Sequence, residues 1–166
     1  VQSPPADIHI LFGTALNTQR LAAKCRSREY ITESWTCDGV SNIDAVAMAG
    51  HIDSIMDGIL NARPRLVVLD PPSRSFDKTS VHLRTTEQPY GVDKLRGKLK
   101  DQVRRETSVA LRAIELSLAC AASGVPFMYI MRAGVDPVEL PENEVLVDYD
   151  QGFAKARRDQ RGAHYH

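Results

Sequence analysis

An excess of charge of one sign is missing from this chain. Its 166 residues carry 21 Lys and Arg against 21 Asp and Glu. The balance excludes a protein that coats nucleic acid over its whole surface, but leaves room for a local basic patch. No run of about 18 apolar residues occurs, so no membrane span is expected. Cysteine is scarce. Cys25, Cys37 and Cys120 are an odd number without zinc-site spacing, which excludes a full disulfide framework and a cysteine metal site. An intracellular, reducing compartment is expected, and no signal or transit pattern is read in the chain. The histidines do not cluster with the cysteines, and His164 and His166 read as a frayed terminal pair, so no metal is expected. Glycine is thin where a dinucleotide fingerprint would need three: Gly13 stands alone. Repeats and low-complexity tracts are absent.

What is present is the composition of a globular domain, 43% hydrophobic and 25% charged. The length suits one domain with a sizeable core. Ile8 to Phe12 reads as a strand ending at Gly13. Thr14 to Arg28 reads as a helix with Leu16, Leu21, Ala22 and Cys25 on its apolar side. Tyr30 to Cys37 reads as a strand closed by the Asp38-Gly39 turn. A helix capped near Ser41 or Asn42 follows, with Val46, Ala49, Ile52, Met56, Ile59 and Leu60 at helical spacing. Arg65 to Asp70 is a strand whose run of four aliphatics predicts burial on both faces, as in a parallel sheet. Asp101 to Ser123 is the best helix, with an apolar stripe of Val103, Thr107, Ala110, Leu111, Ile114 and Leu118 and a C-cap at Gly124. Val125 to Met131 and Glu144 to Tyr149 complete the strands. Cys25 and Cys120 are expected as buried small hydrophobes.

This alternation predicts a doubly wound, mostly parallel α/β sheet in three layers. Residues 1–150 form the single domain, with a long basic loop at 73–100, and 151–166 form a basic tail. Ligands of such sheets sit at the carboxyl ends of the strands, near the switch point. Gly13 lets a ligand approach the backbone in front of a helix N-terminus, or is a simple turn glycine. Asp38 suits ribose hydroxyls, or is a turn residue. Asp44 favours a helix start and is a weaker candidate for an adenine-like ring. Asp70-Pro71-Pro72 is the sharpest feature. The prolines remove two donors and end the strand, which presents the Asp70 carboxylate rigidly at the sheet edge. The loop carries Arg74, Lys78, Arg84, Lys94, Arg96, Lys98 and Lys100 against Asp77, Glu87 and Asp93. It reads as a phosphate-facing flap for nucleic acid, with Phe76 or Tyr90 to stack on a base, or as a solvated loop.

Three stretches carry a resemblance: Leu66–Phe76 (LVVLDPPSRSF), His82–Leu95 (HLRTTEQPYGVDKL) and Ala113–Ile130 (AIELSLACAASGVPFMYI). Over roughly residues 8 to 131 the chain resembles Rossmann-like S-adenosylmethionine-dependent methyltransferases. In its middle it resembles the cytosine-5 DNA methyltransferase-like proteins of phage and retroelement type. The resemblance implies S-adenosylmethionine as cofactor near Gly13, Asp38 and Asp44, and a catalytic turn at Asp70, Pro71, Pro72 and Ser73. The family's Cys nucleophile follows its Pro-Pro pair, and here that position is Ser73, a far poorer nucleophile. The family's Glu-Asn pair corresponds to Ile130-Met131-Arg132, which lacks a carboxylate. The resemblance therefore implies a catalytically degenerate, methyltransferase-like subunit of a larger, nucleic-acid-associated assembly. An active amino-methyltransferase, in which Asp70 accepts from the target amine, stays open beside it. So does an unrelated doubly wound nucleotide-binding or hydrolase module.

Overall fold

The structure is a computed structural model that describes residues 5–36, 45–71, 74–76 and 82–130; for 15 and 45–52 it describes the helical backbone alone. Strand β1 (Ile8–Gly13) leads into helix α1 (Ala15–Arg26). Strand β2 (Thr32–Thr36), helix α2 (Ala45–Ala62) and strand β3 (Leu66–Leu69) follow. A short 3-10 turn (Arg74–Phe76), helix α3 (Gly97–Ser123) and strand β4 (Phe127–Tyr129) complete the described elements.

The strands form one parallel sheet in the order β2-β1-β3-β4. Ile8 to Leu11 lie in register with Leu66 to Leu69, so the two most apolar strands are the two central ones. Such strands must bury both faces, which is why β1 and β3 read as near-continuous apolar runs. Alternate residues feed two clusters. Ile8, Ile10 and Val68 pack with Ala22 of α1, while Leu11, Val67 and Leu69 pack with Ile59 of α2 and Val109, Ala113, Leu116 and Cys120 of α3. The chain is therefore the α/β fold that its alternation predicts.

Several boundaries move. Helix α3 begins at Gly97, one turn before Asp101, and β4 is shorter than Val125–Met131. The buried stripe of α3 is wider than the expected set and includes Val109, Ala113, Leu116, Ser117 and Cys120. Leu16 is not on the apolar side of α1: it is 57% exposed, and Thr18 takes the buried place. Helix α3 ends as expected, with Gly124 at φ 68° and Val125 N–H donating to Cys120 O at 2.9 Å. Cys120 is fully buried and Cys25 half-buried, both as free thiols. Burial pushes the Cys120 thiol up to about 11, so it is no nucleophile near neutral pH. Cys37, the strand expected at Glu144–Tyr149 and the tail lie outside the described residues.

His9 stands in the middle of β1, 6% exposed, with neither ring nitrogen hydrogen-bonded. Desolvation lowers its pKa, and Glu33, 3.6 Å away, opposes this. A base whose folded pKa is depressed binds its proton more readily in the unfolded chain. Stability is therefore expected to fall as pH drops below about 6.5, with a slope of at most about 1.4 kcal/mol per pH unit. Urea titrations of the chain and of His9→Leu between pH 7 and 5 check this: the variant is expected to lose that part of the slope.

Candidate functional site

Crossovers leave the central pair in opposite directions: β1 is followed by its neighbour β2 on one side, and β3 by β4 on the other. The switch point thus lies between the carboxyl ends of β1 and β3, where adjacent connections diverge and sheets of this kind take their ligands. The last ladder bond there runs from Asp70 N–H to Leu11 O at 3.0 Å. Pro71, buried, has no N–H to continue it, so the pairing stops and the Asp70 side chain stands half-buried at the edge.

Three residues meet at this point. Strand β1 bulges against β2 between Leu11 and Gly13, and the extra residue, Phe12, takes φ 68° while 1% exposed. A bulky residue in the left-handed region is held there by its surroundings, and such strain concentrates at functional sites. The bulge turns the chain sharply into α1, whose N-cap Thr14 accepts from Asn17 N–H at 3.4 Å. Gly13 sits inside this turn. A Cβ placed on it would collide with Thr18 Oγ1 and lie 3.3 Å from Asp70 Oδ2. Gly13 is thus a close-approach glycine, bringing backbone, hydroxyl and carboxylate together. Thr18 is 2% exposed and its hydroxyl has no hydrogen-bond partner among the described residues. A buried hydroxyl without a partner costs free energy, so its retention beside a carboxylate at a switch point marks a candidate ligand contact. Helix α1 carries no acid in its own first turn, and the carboxylate near its positive end is that of Asp70.

Sequence reasoning singled out Gly13, Asp70 and Pro71, and the structure brings them together. Thr18 was missed. Its signal is its spacing: Thr18, Ala22 and Cys25 are i, i+4 and i+7, which puts a hydroxyl on the buried stripe. Pro72, Ser73, Asp38, Asp44 and Lys78 lie outside the described residues.

The basic loop is not a uniform flap. Arg84 is 1% exposed. Its Nε and Nη2 donate to Ser75 Oγ at 3.1 and 2.8 Å, Nη1 to Pro89 O at 2.6 Å, and Nη2 to Val103 O at 3.1 Å. Its guanidinium also lies 3.8 Å from the ring centroid of Phe76, itself buried. Burial lowers the guanidinium pKa to about 10, against the pull of Glu106, so it stays charged at neutral pH. Glu106, in turn, accepts from Ser75 N–H at 2.7 Å and from Gln102 at 3.0 Å. This network binds the segment after Asp70 to α3. It also corrects two expectations: Arg84 is spent inside the protein rather than on phosphates, and Phe76 serves Arg84 rather than a base. A small core of Leu83, Leu95 and Val103 with Val92 closes the same loop. Gly91 at φ 120° packs there, its Cβ position 2.7 Å from Val103 Cγ1. Arg74, Tyr90, Lys94 and Arg96 remain exposed, with Arg96 also bonded to Asp93 O and Leu95 O.

Among the described residues no cluster of His, Cys, Asp and Glu could hold a metal ion, and no helix is long and apolar enough to cross a membrane. Comparison with protein-family models, curated proteins and solved structures returns no match.

Proposed function

We propose that this chain is a methyltransferase-like α/β domain whose β1–β3 edge binds S-adenosylmethionine. On this reading it acts as a catalytically degenerate binding subunit of a nucleic-acid-associated assembly. The observation that carries the reading is the convergence of Gly13, Thr18 and Asp70 on the switch point of a parallel sheet. Gly13 gives close backbone access, the Thr18 hydroxyl can donate or accept, and Asp70 accepts only. This set suits a ligand with hydroxyl and amino groups, such as an adenosyl amino acid. The resemblance of Leu66–Phe76 to the family's Pro-Pro turn supplies the ligand's identity. Its two departures, Ser73 and the absent carboxylate at Ile130–Arg132, supply the degeneracy.

Chemistry limits what such a site performs. Attack on C6 of a cytosine needs a thiolate, and a serine hydroxyl is a poor substitute. Protonation of the base needs an acid, and the corresponding sequence Ile130-Met131-Arg132 supplies no carboxylate. The expected result with labelled S-adenosylmethionine and duplex DNA is no methyl transfer, for the chain and for Ser73→Cys alike. Transfer by the unmodified chain would contradict degeneracy and favour the amino-methyltransferase reading, with Asp70 as acceptor.

Thr18→Val provides a separate check on the site. It exchanges a buried, unpartnered hydroxyl for a methyl of similar size. Unfolding free energy is expected to hold or rise by about 1 kcal/mol, because a buried polar group without a partner is removed. Affinity for S-adenosylmethionine is expected to fall about tenfold, the effect of one lost hydrogen bond. Gain of stability with loss of binding is the signature of a residue kept for function. A variant less stable than the parent, with unchanged affinity, would remove Thr18 from the site.

A further inference from the structure

Helix α3 is longer than the sheet it covers. Its 27 residues span about 40 Å, whereas the 4 residues of β3 span about 13 Å. Contacts with the sheet core come from Val109, Ala113, Leu116 and Cys120, from close to its midpoint onward. Its first half packs instead through Val103 onto the loop core of Leu83 and Leu95, and through Glu106 onto Ser75. The chain enters α3 after leaving β3 at Asp70 and leaves it at Gly124 to begin β4. The first half therefore lies toward the carboxyl end of the sheet.

The solvent side of this half is basic. Arg96, Lys98, Lys100, Arg104 and Arg105 are exposed, and Asp101 is the one acid between residues 96 and 105. The excess sits in a chain whose overall charge is zero. Among the described residues, ion pairs join Arg65–Asp7 and Arg112–Glu115, His9 lies beside Glu33, and none of these involves the cations at 96–105. The placement also works against the helix. Lys98 and Lys100 lie in the first turn, at the positive end of the dipole, with no acid there and no side-chain cap. Lys100 and Arg104 are like charges at i, i+4, a repelling pair. Such mutual repulsion is relieved by a bound polyanion.

We infer that the solvent face of α3 from Arg96 to Arg105 is a docking surface for the phosphate backbone of a nucleic acid. A protein partner fits the surface less well. Protein interfaces admit Arg but are depleted in Lys and centre on buried aromatic and apolar residues, and between residues 96 and 105 Leu99 is the exposed large hydrophobic. Backbone recognition needs only cations that can follow a line of phosphates, and it carries no sequence preference. None of the stretches that carry the methyltransferase resemblance includes residues 96–105. The inference deepens the proposed function by naming the partner, yet it is read without methyl donor, so the two fail separately.

The test is fluorescence anisotropy of the full chain with a labelled DNA duplex and single strand of about 20 nucleotides, over about 50 to 200 mM salt. The comparison is a variant carrying Lys98→Gln, Lys100→Gln, Arg104→Gln and Arg105→Gln. Binding is expected to weaken steeply with salt. For the duplex, the log–log slope is expected to shrink by about 0.9 for each phosphate contact removed, roughly 3 to 4 in all. At the lowest salt, affinity is expected to fall more than about tenfold. The variant's melting temperature is expected to hold or rise, because repulsion is removed; a fall would contradict the solvent placement of these side chains. No binding at low salt, or a slope unchanged in the variant, overturns the inference. Displacement of DNA by polyglutamate at equal charge overturns it in favour of an acidic protein partner.

Discussion

Arg84→Met is expected to lower the unfolding free energy by about 3–5 kcal/mol, the largest loss of any single substitution outside the apolar core. Methionine fills part of the volume but donates nothing. Ser75 Oγ and Pro89 O lose their donor inside the protein, and Phe76 loses the cation on its face. Arg84→Lys is expected to recover only part of the loss. One ammonium cannot reach Ser75, Pro89 and Val103 from the directions that the planar fork serves together. The effect should spread along the chain. Ser75 is five residues beyond Asp70 and is held between Arg84 and Glu106, so the turn after Asp70 loosens with it. Urea unfolding reads the stability. A loss below about 1 kcal/mol for Arg84→Met, the size of an ordinary surface change, would contradict the network.

Gly13→Val is expected to remove binding at the β1–β3 edge, weakening S-adenosylmethionine by more than about 100-fold, or some 2.7 kcal/mol. The first added carbon already collides with Thr18 Oγ1. Thr18 is β-branched and stiff about χ1, and it is packed on the buried side of α1, so it cannot simply rotate away. The branched methyls of valine then occupy space between the backbone turn and Asp70 Oδ2, where a ligand would approach. Overpacking of this kind also costs about 1–3 kcal/mol of stability, well short of unfolding a typical domain. Binding and melting measured on the same sample separate the two effects. A folded Gly13→Val chain that binds like the parent would place the ligand elsewhere.

The parts of the fold that the sequence displayed are those where one physical rule acts alone. Leu66–Leu69 is apolar on both faces because it is the central strand beside β1, and its end at Asp70 follows from two residues without N–H groups. Gly124 ends α3 because the chain turns left-handed there. Where two rules compete, the reading slipped. Gly97 to Lys100 looks like loop because the N-cap is Arg96, which offers no capping oxygen, and Leu99 is exposed. Leu16 fits the helical apolar spacing of α1, but it is exposed and Thr18 is buried instead. Charge alone points Arg84 to the surface. Its burial depends on acceptors from Ser75, Pro89 and Val103, up to 19 residues away, which no local pattern reveals. The candidate site was legible at Gly13 and Asp70, the two strand ends, and hidden at Thr18, whose part depends on the turn between them.

Calorimetric titration of the purified chain with S-adenosylmethionine, in the absence of nucleic acid, tests the β1–β3 edge as a cofactor site. One site of micromolar affinity, about −8 kcal/mol, is expected, and Gly13→Val is expected to abolish it. No heat at about millimolar ligand, where even a −4 kcal/mol interaction would register, would contradict it. The β1–β3 edge would then not be a cofactor site.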